Sequence, residues 1–223
     1  MNILEMDKSL FELPRRYAFK SRPRQRSAGW IERKFLCYGL SARSRCRNVC
    51  VNAGNDRVMT VKRANYSDLP AIREIYNEGI EDRIATLETE PKTADDIADW
   101  WNEHDARYAV LVCSEKNHVI GWASLNRFSH RCAHSAIADL SVYVARAHRG
   151  RGLGYALLTA LEAIAVEAQF HKIVLHALNT NEHGKRLYRK CGFVEVGIFK
   201  DHGMVNDRCV DVIAMEKILS AVS

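Results

Sequence analysis

From about residue 59 onward, apolar and polar positions follow spacings that predict alternating helices and strands. Apolar residues recur three and four positions apart in "SDLPAIREIYNEGI" and in "ADDIADWWNEH", which predicts two amphipathic helices. Ser67 and Thr93 stand at the starts of these helices, and hydroxyl side chains are typical N-terminal caps. "MTVKRA" predicts a strand before the helices, and a short strand is predicted at Ile84–Leu87 in the loop between them.

The rest of the chain predicts six more strands and two more helices. Strands are predicted for "YAVLVC", "HVIGWASLNRF" and Ala136–Ala145, and a long apolar helix then extends to about Gln169. "HKIVLHAL" is typical of a strand and "NEHGKRLYRKC" of a helix, and the strands "GFVEVGIFKDHG" and "CVDVIAMEKIL" follow. The order β-α-α-β-β-β-α-β-α-β-β predicts one α/β domain over residues 59–223.

Charge separates residues 1–58 from this domain. They hold 13 Lys and Arg against 5 Asp and Glu, a net charge of +8, whereas the remaining 20 and 22 give −2. The segment shows neither helical nor strand periodicity, and Met59 is a plausible start of the protein. We therefore predict that residues 1–58 are a basic, disordered or spurious extension; an organelle transit peptide and a nucleic-acid-binding tail are the alternatives.

The cysteine and histidine pattern favours neither a disulfide framework nor a metal site. The seven cysteines are odd in number and unevenly spaced, which is typical of reduced thiols in the cytosol. His130, Cys132 and His134 cluster in "SHRCAH" but lack a fourth ligand, so we predict no metal. We expect a cytoplasmic protein without a membrane span, because no apolar run is long enough to cross a bilayer.

The segment "AHRGRGLGYALL" lies between the strand Ala136–Ala145 and the long helix. Its glycines allow backbone N–H groups to approach a ligand closely, and the helix N-terminus adds about half a positive charge. Arg149 and Arg151 add full charges suited to phosphate oxygens. The pattern predicts a phosphate cradle, although neither a P-loop nor a dinucleotide fingerprint is present; a flexible basic loop is the alternative.

Two motifs make the chain resemble the GNAT acetyltransferases. Residues 149–154 fit the Arg/Gln-x-x-Gly-x-Gly/Ala motif that cradles the acetyl-CoA pyrophosphate in that superfamily, and Asn181, Tyr188, Gly192 and Phe193 fit its Asn…Tyr-x-x-x-Gly-Phe pattern. The segments "IREIYNEGIEDRIATLETEP" and "RCAHSAIADLSVYV" are similar to the phosphinothricin/arsinothricin N-acetyltransferase branch. The resemblance implies a GNAT fold, with a mixed central sheet that contains a splayed strand pair and is flanked by helices.

The resemblance also implies the cofactor site and the catalytic groups. It assigns acetyl-CoA to a set of residues in the strand, the turn and the later helix: Val142, Tyr143, Val144, Arg149, Gly150, Arg151, Gly152, Leu153, Gly154, Tyr155 and Asn181. It places a glutamate general base where this chain has Asp139, which is one methylene shorter. Tyr188 matches the general acid toward the departing thiolate, or a group that only hydrogen-bonds the sulfur.

The resemblance implies a small amino-acid substrate. Arg131 matches a position that holds the acidic groups of phosphinothricin-like amino acids, and Arg83 and Thr86 are candidates for binding the other end of the substrate. His134 replaces an expected tyrosine. The expected reaction is acetylation of the α-amino group by direct attack on acetyl-CoA, in a homodimer and without a metal. The alternatives are an acetyltransferase of protein N-termini or of another small amine, and a CoA-binding regulatory or nucleic-acid-binding protein that uses the basic tail.

Overall fold

The computed structural model describes the backbone of residues 49–52 and 58–219 and the side chains of residues 59–219. Its strands and helices are β1 (Val49–Asn52), β2 (Val58–Arg63), α1 (Leu69–Glu81), α2 (Ala94–Asn102), β3 (Val110–Glu115), β4 (His118–Arg127), β5 (Ile137–Val144), α3 (Leu153–Glu167), β6 (Lys172–Leu178), α4 (Glu182–Lys190), β7 (Val194–Val205) and β8 (Arg208–Ile218). No helix within these ranges is both long enough and apolar enough to span a membrane.

The strands of the described residues form one mixed sheet in the order β1-β2-β3-β4-β5-β6-β8-β7. Neighbouring strands are antiparallel, except that β5 runs parallel to β6. These two strands pair only between Ile137–Asp139 and Lys172–Val174, and beyond that point they separate. The predicted mixed sheet with a splayed strand pair and flanking helices is therefore confirmed.

Helices cover both faces of the sheet because successive strand residues point to opposite sides. In β3, Leu111 and Cys113 belong to the larger core that includes the apolar face of α3, whereas Val110 and Val112 belong to a second core with α1 and α2. The second core contains a cluster of aromatic rings, in which Trp122 stacks on Tyr143 at a centroid distance of 4.8 Å. Both faces of the central strands are thereby buried.

Two local predictions are wrong. The side chain of Asn65, not that of Ser67, accepts a backbone hydrogen bond at the start of the first helix, and it caps a separate 3-10 turn at Tyr66–Asp68 before α1 begins. Ile84–Leu87 forms no strand, because the chain leaves α1 through Arg83 in a left-handed conformation (φ 55°) and the segment pairs with no strand of the sheet. Thr93 caps α2 as predicted.

The predicted extension is described only in part. Residues 1–48 and 53–57 lie outside the described residues, and with them most of the basic segment. Val49–Asn52 lies within the segment 1–58 and forms β1, which pairs antiparallel with β2 at the edge of the sheet. The domain boundary at residue 59 stays a prediction.

Candidate active site

A cleft of about 580 Å³ lies beside the part of β5 that extends beyond its pairing with β6. Its walls come from the end of α1, the free part of β5, the glycine-rich turn and α4. The lining residues include Val142, Tyr143, Val144, Arg149, Gly150, Gly152, Leu153, Gly154, Tyr155, Asn181 and Tyr188. Residues that are far apart in the sequence, from Gly79 to Lys190, therefore meet in one cleft, which we call the β5 cleft.

The glycines of the turn serve two different purposes. Gly150 and Gly152 adopt left-handed conformations (φ 76° and 82°), and no other atom lies within 4 Å of the place where a Cβ would stand. Gly154 has an ordinary helical conformation, but a Cβ there would lie 2.7 Å from Leu187 Cδ2. The first two glycines therefore shape the turn and leave open space in the cleft, while the third allows α3 and α4 to pack closely.

Helix α3 begins at the β5 cleft. Gly152 is its N-cap residue, and the first backbone hydrogen bond of the helix runs from Ala156 to the Gly152 carbonyl. The N–H groups of the first turn have no partner within the helix, and the helix dipole adds positive potential at the same place. An apolar helix with its N-terminus at an open cleft is suited to bind an anionic group such as a phosphate.

The two arginines of the turn lie in different environments. The Arg149 side chain lines the β5 cleft, donates to the Val144 carbonyl oxygen at 3.0 Å and forms an ion pair with Asp82 at 2.5 Å. Arg151 does not line the cleft, and its guanidinium forms an ion pair with Glu115 at 2.7 Å. Of the two arginines only Arg149 therefore lies in the cleft wall, and a role for Arg151 at the phosphate stays a prediction.

The other predicted cofactor positions lie on the strand and on α4. Beyond Asp139, one edge of β5 continues to pair with β4 through Val144, while the other edge has no strand partner among the described residues. Asn181 caps α4, because its side-chain oxygen accepts the backbone N–H of Gly184 at 2.9 Å. A Cβ on Gly184 would lie 2.8 Å from the Asn181 amide, so the missing side chain gives that cap its room.

Asp139 stands at the point where β5 and β6 part. Burial raises the pKa of its carboxyl to about 6, and a hydrogen bond from Asn126 acts in the opposite direction. About a third of the side chain (31%) remains open to solvent, so the carboxyl faces water on one side and protein on the others. A carboxyl group with this pKa is ionised at neutral pH and still basic enough to accept a proton.

A polar network on β4 and β5 holds this carboxylate. The Asn126 amide nitrogen donates to Asp139 Oδ2 at 3.3 Å and to Ser141 Oγ at 3.0 Å. The amide oxygen accepts the hydroxyl of Ser124 at 2.8 Å, and Nε2 of His104 lies 3.1 Å from it. The sequence analysis did not find Asn126. Register gives the only signal, since Asn126 pairs directly with Asp139 across two antiparallel strands.

Tyr188 is buried in the wall of the β5 cleft within the electrostatic field of Asp139. Burial, the charge of Asp139 and Cys191 together raise the pKa of the Tyr188 phenol to about 12. The phenol therefore stays protonated across the whole neutral range and is a hydrogen-bond donor. Transfer of its proton to a thiolate with a pKa of about 8.5 would cost about 5 kcal/mol. The structure thus favours the second sequence alternative, in which Tyr188 hydrogen-bonds a sulfur without becoming deprotonated.

The predicted substrate residues do not join the other site residues in the β5 cleft. Burial raises the pKa values of the Tyr76 and Tyr143 phenols, whereas Thr86 acts to lower them through side-chain hydrogen bonding, and of these residues only Tyr143 lines the cleft. Arg83 follows the end of α1 next to the lining residue Ile84, and Arg131 is exposed before a 3-10 turn at Cys132–His134. Their roles stay predictions. Within residues 59–219, no group of three or more His, Cys, Asp or Glu side chains could hold a metal ion.

Comparison with known proteins agrees with this site. Residues 69–193 match the model of the Acetyltransferase (GNAT) family, so the chain belongs to the GNAT family and is an acyl-CoA-dependent N-acetyltransferase. It is 31% identical over 163 residues to YwnH of Bacillus subtilis (strain 168), and this alignment covers 73% of this chain and all of that protein. It is 30% identical over 159 residues to the L-methionine sulfoximine/L-methionine sulfone acetyltransferase of Salmonella typhimurium, covering 71% and 93%.

A solved structure gives the same result. The phosphinothricin acetyltransferase of Sinorhizobium meliloti, crystallised in complex with acetyl-CoA, superposes with a TM-score of 0.69 at 28% identity. The match covers 73% of this chain and 89% of that one. The fold and the family are therefore established, and the resemblance to the phosphinothricin branch is confirmed.

Proposed function

We propose that the protein transfers the acetyl group of acetyl-CoA to the α-amino group of a small amino acid of the phosphinothricin, arsinothricin or methionine sulfoximine class. The observation that carries the proposal is the combination of two features along β5. Asp139, with a pKa of about 6, lies where the strand separates from β6, and a glycine-rich helix N-terminus suited to a diphosphate lies where it ends. The names of the relatives support the substrate class.

The residues of the β5 cleft fit acetyl-CoA. The N-terminus of α3 and Arg149 would bind the pyrophosphate, in the space that the missing side chains of Gly150 and Gly152 leave open. The unpaired edge of β5 at Val142–Val144 would bind the amide-containing pantetheine arm as if it were an added strand. When bound there, acetyl-CoA supplies the thioester that the amine attacks.

The two catalytic groups have different tasks in this proposal. Asp139 accepts the proton of the substrate ammonium, because its raised pKa of about 6 keeps it ionised at neutral pH and brings its basicity closer to that of the amine. Asn126 holds Oδ2 of Asp139 and orients the carboxylate. Tyr188 donates a hydrogen bond to the departing sulfur, and its burial excludes water from that position.

A panel of amines tests the proposal directly. Phosphinothricin, arsinothricin, methionine sulfoximine, glutamate and a short peptide would each be mixed with acetyl-CoA, and release of free thiol would be measured. We expect the highest kcat/KM for the first three compounds. A higher value for the peptide would favour an acetyltransferase of protein N-termini. Binding of acetyl-CoA without thiol release from any amine would favour a regulatory CoA-binding protein.

Asp82 is expected to weaken cofactor binding. Although burial acts to raise it, ion pairs with Arg149 and Arg146 hold the pKa of Asp82 below its usual value, so the residue is ionised beside the proposed pyrophosphate position. We expect Asp82→Asn to increase the affinity for CoA about 3- to 10-fold, because a competing negative charge is removed. Isothermal titration calorimetry would measure the change.

Glu81→Gln is the matched control for this change. Glu81 also contacts Arg146, at 3.3 Å, but the cleft residue Arg149 forms its ion pair with Asp82 and not with Glu81. Its removal should leave the affinity for CoA almost unchanged. Equal affinities of the Asp82→Asn variant and the parent protein would contradict the competition between Asp82 and the pyrophosphate.

A chain shortened to begin at Met59 is expected to keep its turnover. The cleft is built from residues 79–190, whereas β1 pairs only with β2 at the far edge of the sheet. A chain that begins at Arg45 retains β1 and is the control. We expect equal kcat/KM for both and a lower Tm for the shorter chain, which lacks the β1–β2 pairing. A large loss of turnover on removal of residues 1–58 would contradict the boundary at residue 59.

The proposal extends to location and assembly. We propose a cytoplasmic homodimer, as the sequence analysis expected. Strand β7 is the edge of the described sheet and carries exposed apolar side chains, including Val194 and Val196 (both 61% exposed). An edge strand of this kind is suited to pair with the same strand of a second copy, because antiparallel pairing about a twofold axis is self-complementary.

A further inference from the structure

His176 of β6 lies next to Asp139, although neither the sequence motifs nor the lining of the β5 cleft includes it. Asp139 is the last residue of β5 that pairs with β6, and its partner is Val174. His176 follows two residues later, so its side chain extends from the same face of the sheet as that of Val174. Nδ1 of His176 lies 3.9 Å from Oδ1 of Asp139.

The two oxygens of the Asp139 carboxylate therefore have different neighbours. Asn126 donates to Oδ2, which fixes that oxygen on the β4 side. Oδ1 faces the imidazole on the β6 side. The imidazole reaches solvent, since 43% of the His176 side chain is exposed, whereas Tyr188, which also lies within the electrostatic influence of Asp139, is buried.

We propose that His176 accepts the proton that Asp139 takes from the substrate amine and releases it to water. This inference rests on the proposed function, because it concerns the fate of the proton that the reaction produces. His176 does not touch the substrate. It acts through Asp139, by receiving the proton from the carboxyl group. The aspartate is then returned to its ionised form within each turnover.

The proton balance defines the step. An ammonium and a thioester become an amide, a thiol and one free proton. The N–H bond of the ammonium breaks as the O–H bond of the Asp139 carboxyl forms. That O–H bond then breaks as an N–H bond forms at Nδ1 of His176, and the imidazolium loses the proton on Nε2 to water. The carboxylate and the neutral imidazole are restored, and exchange of the ring protons with water returns Nδ1 to its unprotonated state before the next turnover.

The energetics of the pair fit this transfer. Burial raises the pKa of Asp139 to about 6, and burial together with the neighbouring His202 lowers the pKa of His176 from its usual value. The pKa of an unperturbed carboxyl lies more than two units below that of an imidazole. These opposite shifts therefore bring the pKa values of the two groups closer together. A proton can then move in either direction between them at little cost in free energy, and the two groups titrate as a coupled pair.

The neighbours of His176 lie on β5, β7 and β8, and its direct partner on β8 is the uncharged Ala214. Asp139 faces it from β5, and Asn126 of β4 and Tyr188 of α4 act on that carboxylate. From β7, the ring of Phe199 lies 6.2 Å from the imidazole, and His202 stacks on Phe199 at 4.7 Å. The 3.9 Å separation from Asp139 must shorten for transfer, as catalytic hydrogen bonds commonly do once substrate binds.

Replacing His176 by asparagine tests the relay. His176→Asn keeps a polar atom near the position of Nδ1 but cannot carry a proton through a ring, so we expect kcat to fall about 10- to 100-fold with nearly unchanged KM values. His118→Asn is the control, because this exposed histidine at the turn between β3 and β4 contacts neither His176 nor Asp139 and should retain the parent kcat. Added imidazole should restore kcat in His176→Asn and not in Asp139→Asn.

A double variant separates the relay from a structural role. If His176 acts through Asp139, His176→Asn should cause no further loss in the Asp139→Asn background. A fall in kcat that imidazole does not rescue and that adds fully to the Asp139→Asn loss would overturn the proposal. So would a His176→Asn variant with the kcat and the pH profile of the parent protein.

An NMR titration tests whether His176 and Asp139 titrate as a coupled pair, without any catalytic turnover. The pH dependence of the His176 ring signals would be recorded in the parent protein and in Asp139→Asn. Coupled titration should give two steps in the parent and a single step in the variant; identical curves would overturn the relay. Absence of thiol release with every amine would instead reject the proposed function, and the titration would still report whether the two groups share a proton.

Discussion

Gly152→Asp is expected to abolish measurable binding of acetyl-CoA while the protein stays folded. Gly152 caps α3 in a left-handed conformation, and the position of its absent side chain is open space in the β5 cleft. A carboxylate about 4 Å from a phosphate charge costs about 1 kcal/mol in water and about 4 kcal/mol at an effective dielectric constant of 20. We therefore expect the Kd to rise by a factor of about 100 or more, measured by calorimetry.

Gly152→Asn separates the charge from the backbone effect. Asparagine and aspartate have nearly the same size, and both tolerate the left-handed region better than other side chains. Both variants share the strain and the loss of space, so the difference between their Kd values reports the charge alone. Circular dichroism and the Tm would confirm the fold of each. If both variants bound acetyl-CoA as tightly as the parent protein, the turn would not be the pyrophosphate site.

The sequence predicted the main elements because the apolar periodicity is clear in most of them. The order of strands and helices from β2 to β8 follows the prediction, since residues such as Ile72 and Ile75 on α1 repeat at the helical spacing and are buried. The pairing of β5 with β6 and their separation after Asp139 could not be read from periodicity. The resemblance supplied that feature, since sequence spacing does not report which strands are neighbours.

The cradle was predictable and its electrostatics were not. Glycines at 150, 152 and 154 before an apolar run predict a turn that leads into a helix N-terminus, so their position at the cleft followed from the sequence. Two acidic residues decide where the arginines point. Asp82 at the end of α1 pairs with Arg149, and Glu115 of β3 pairs with Arg151. Each acidic residue is at least 36 residues away in sequence from its arginine, and no local sequence pattern predicts such pairs.

The surroundings of the catalytic groups could not be predicted from the sequence either. The family motif indicated Asp139 and Tyr188, but the shifts of their pKa values come from burial, from the hydrogen bond that Asn126 on β4 donates to Asp139, and from the charge of Asp139 beside Tyr188. The position of His176 beside Asp139 depends on the parallel register of two strands that are joined by the whole of α3. A register of this kind becomes visible only in the folded chain.

Asp139→Asn is expected to lower kcat/KM about 10²- to 10⁴-fold, the usual contribution of a general base. The KM for acetyl-CoA should hardly change, because Asp139 is not among the residues that line the cleft and precedes the glycine-rich turn. With a pKa of about 6, the parent protein should lose activity below about pH 6, as the carboxylate becomes protonated. The variant should lack this fall and should gain rate as the pH rises, because more of the substrate amine is then neutral.

Two further measurements decide between a base and a bystander. Asp139→Glu adds the methylene that the family residue has and should retain much of the rate, whereas a near-normal rate of Asp139→Asn at pH 7 would show that Asp139 is not the base. Stability should change in the opposite direction to activity. A carboxyl whose pKa is raised on folding contributes stability below pH 4 that is lost as the pH rises through about 6, so Asp139→Asn should have a higher Tm than the parent protein at pH 8, and this difference should disappear toward pH 4. A slower and more stable variant would exclude misfolding as the cause of the lost rate and would leave the missing base as the explanation.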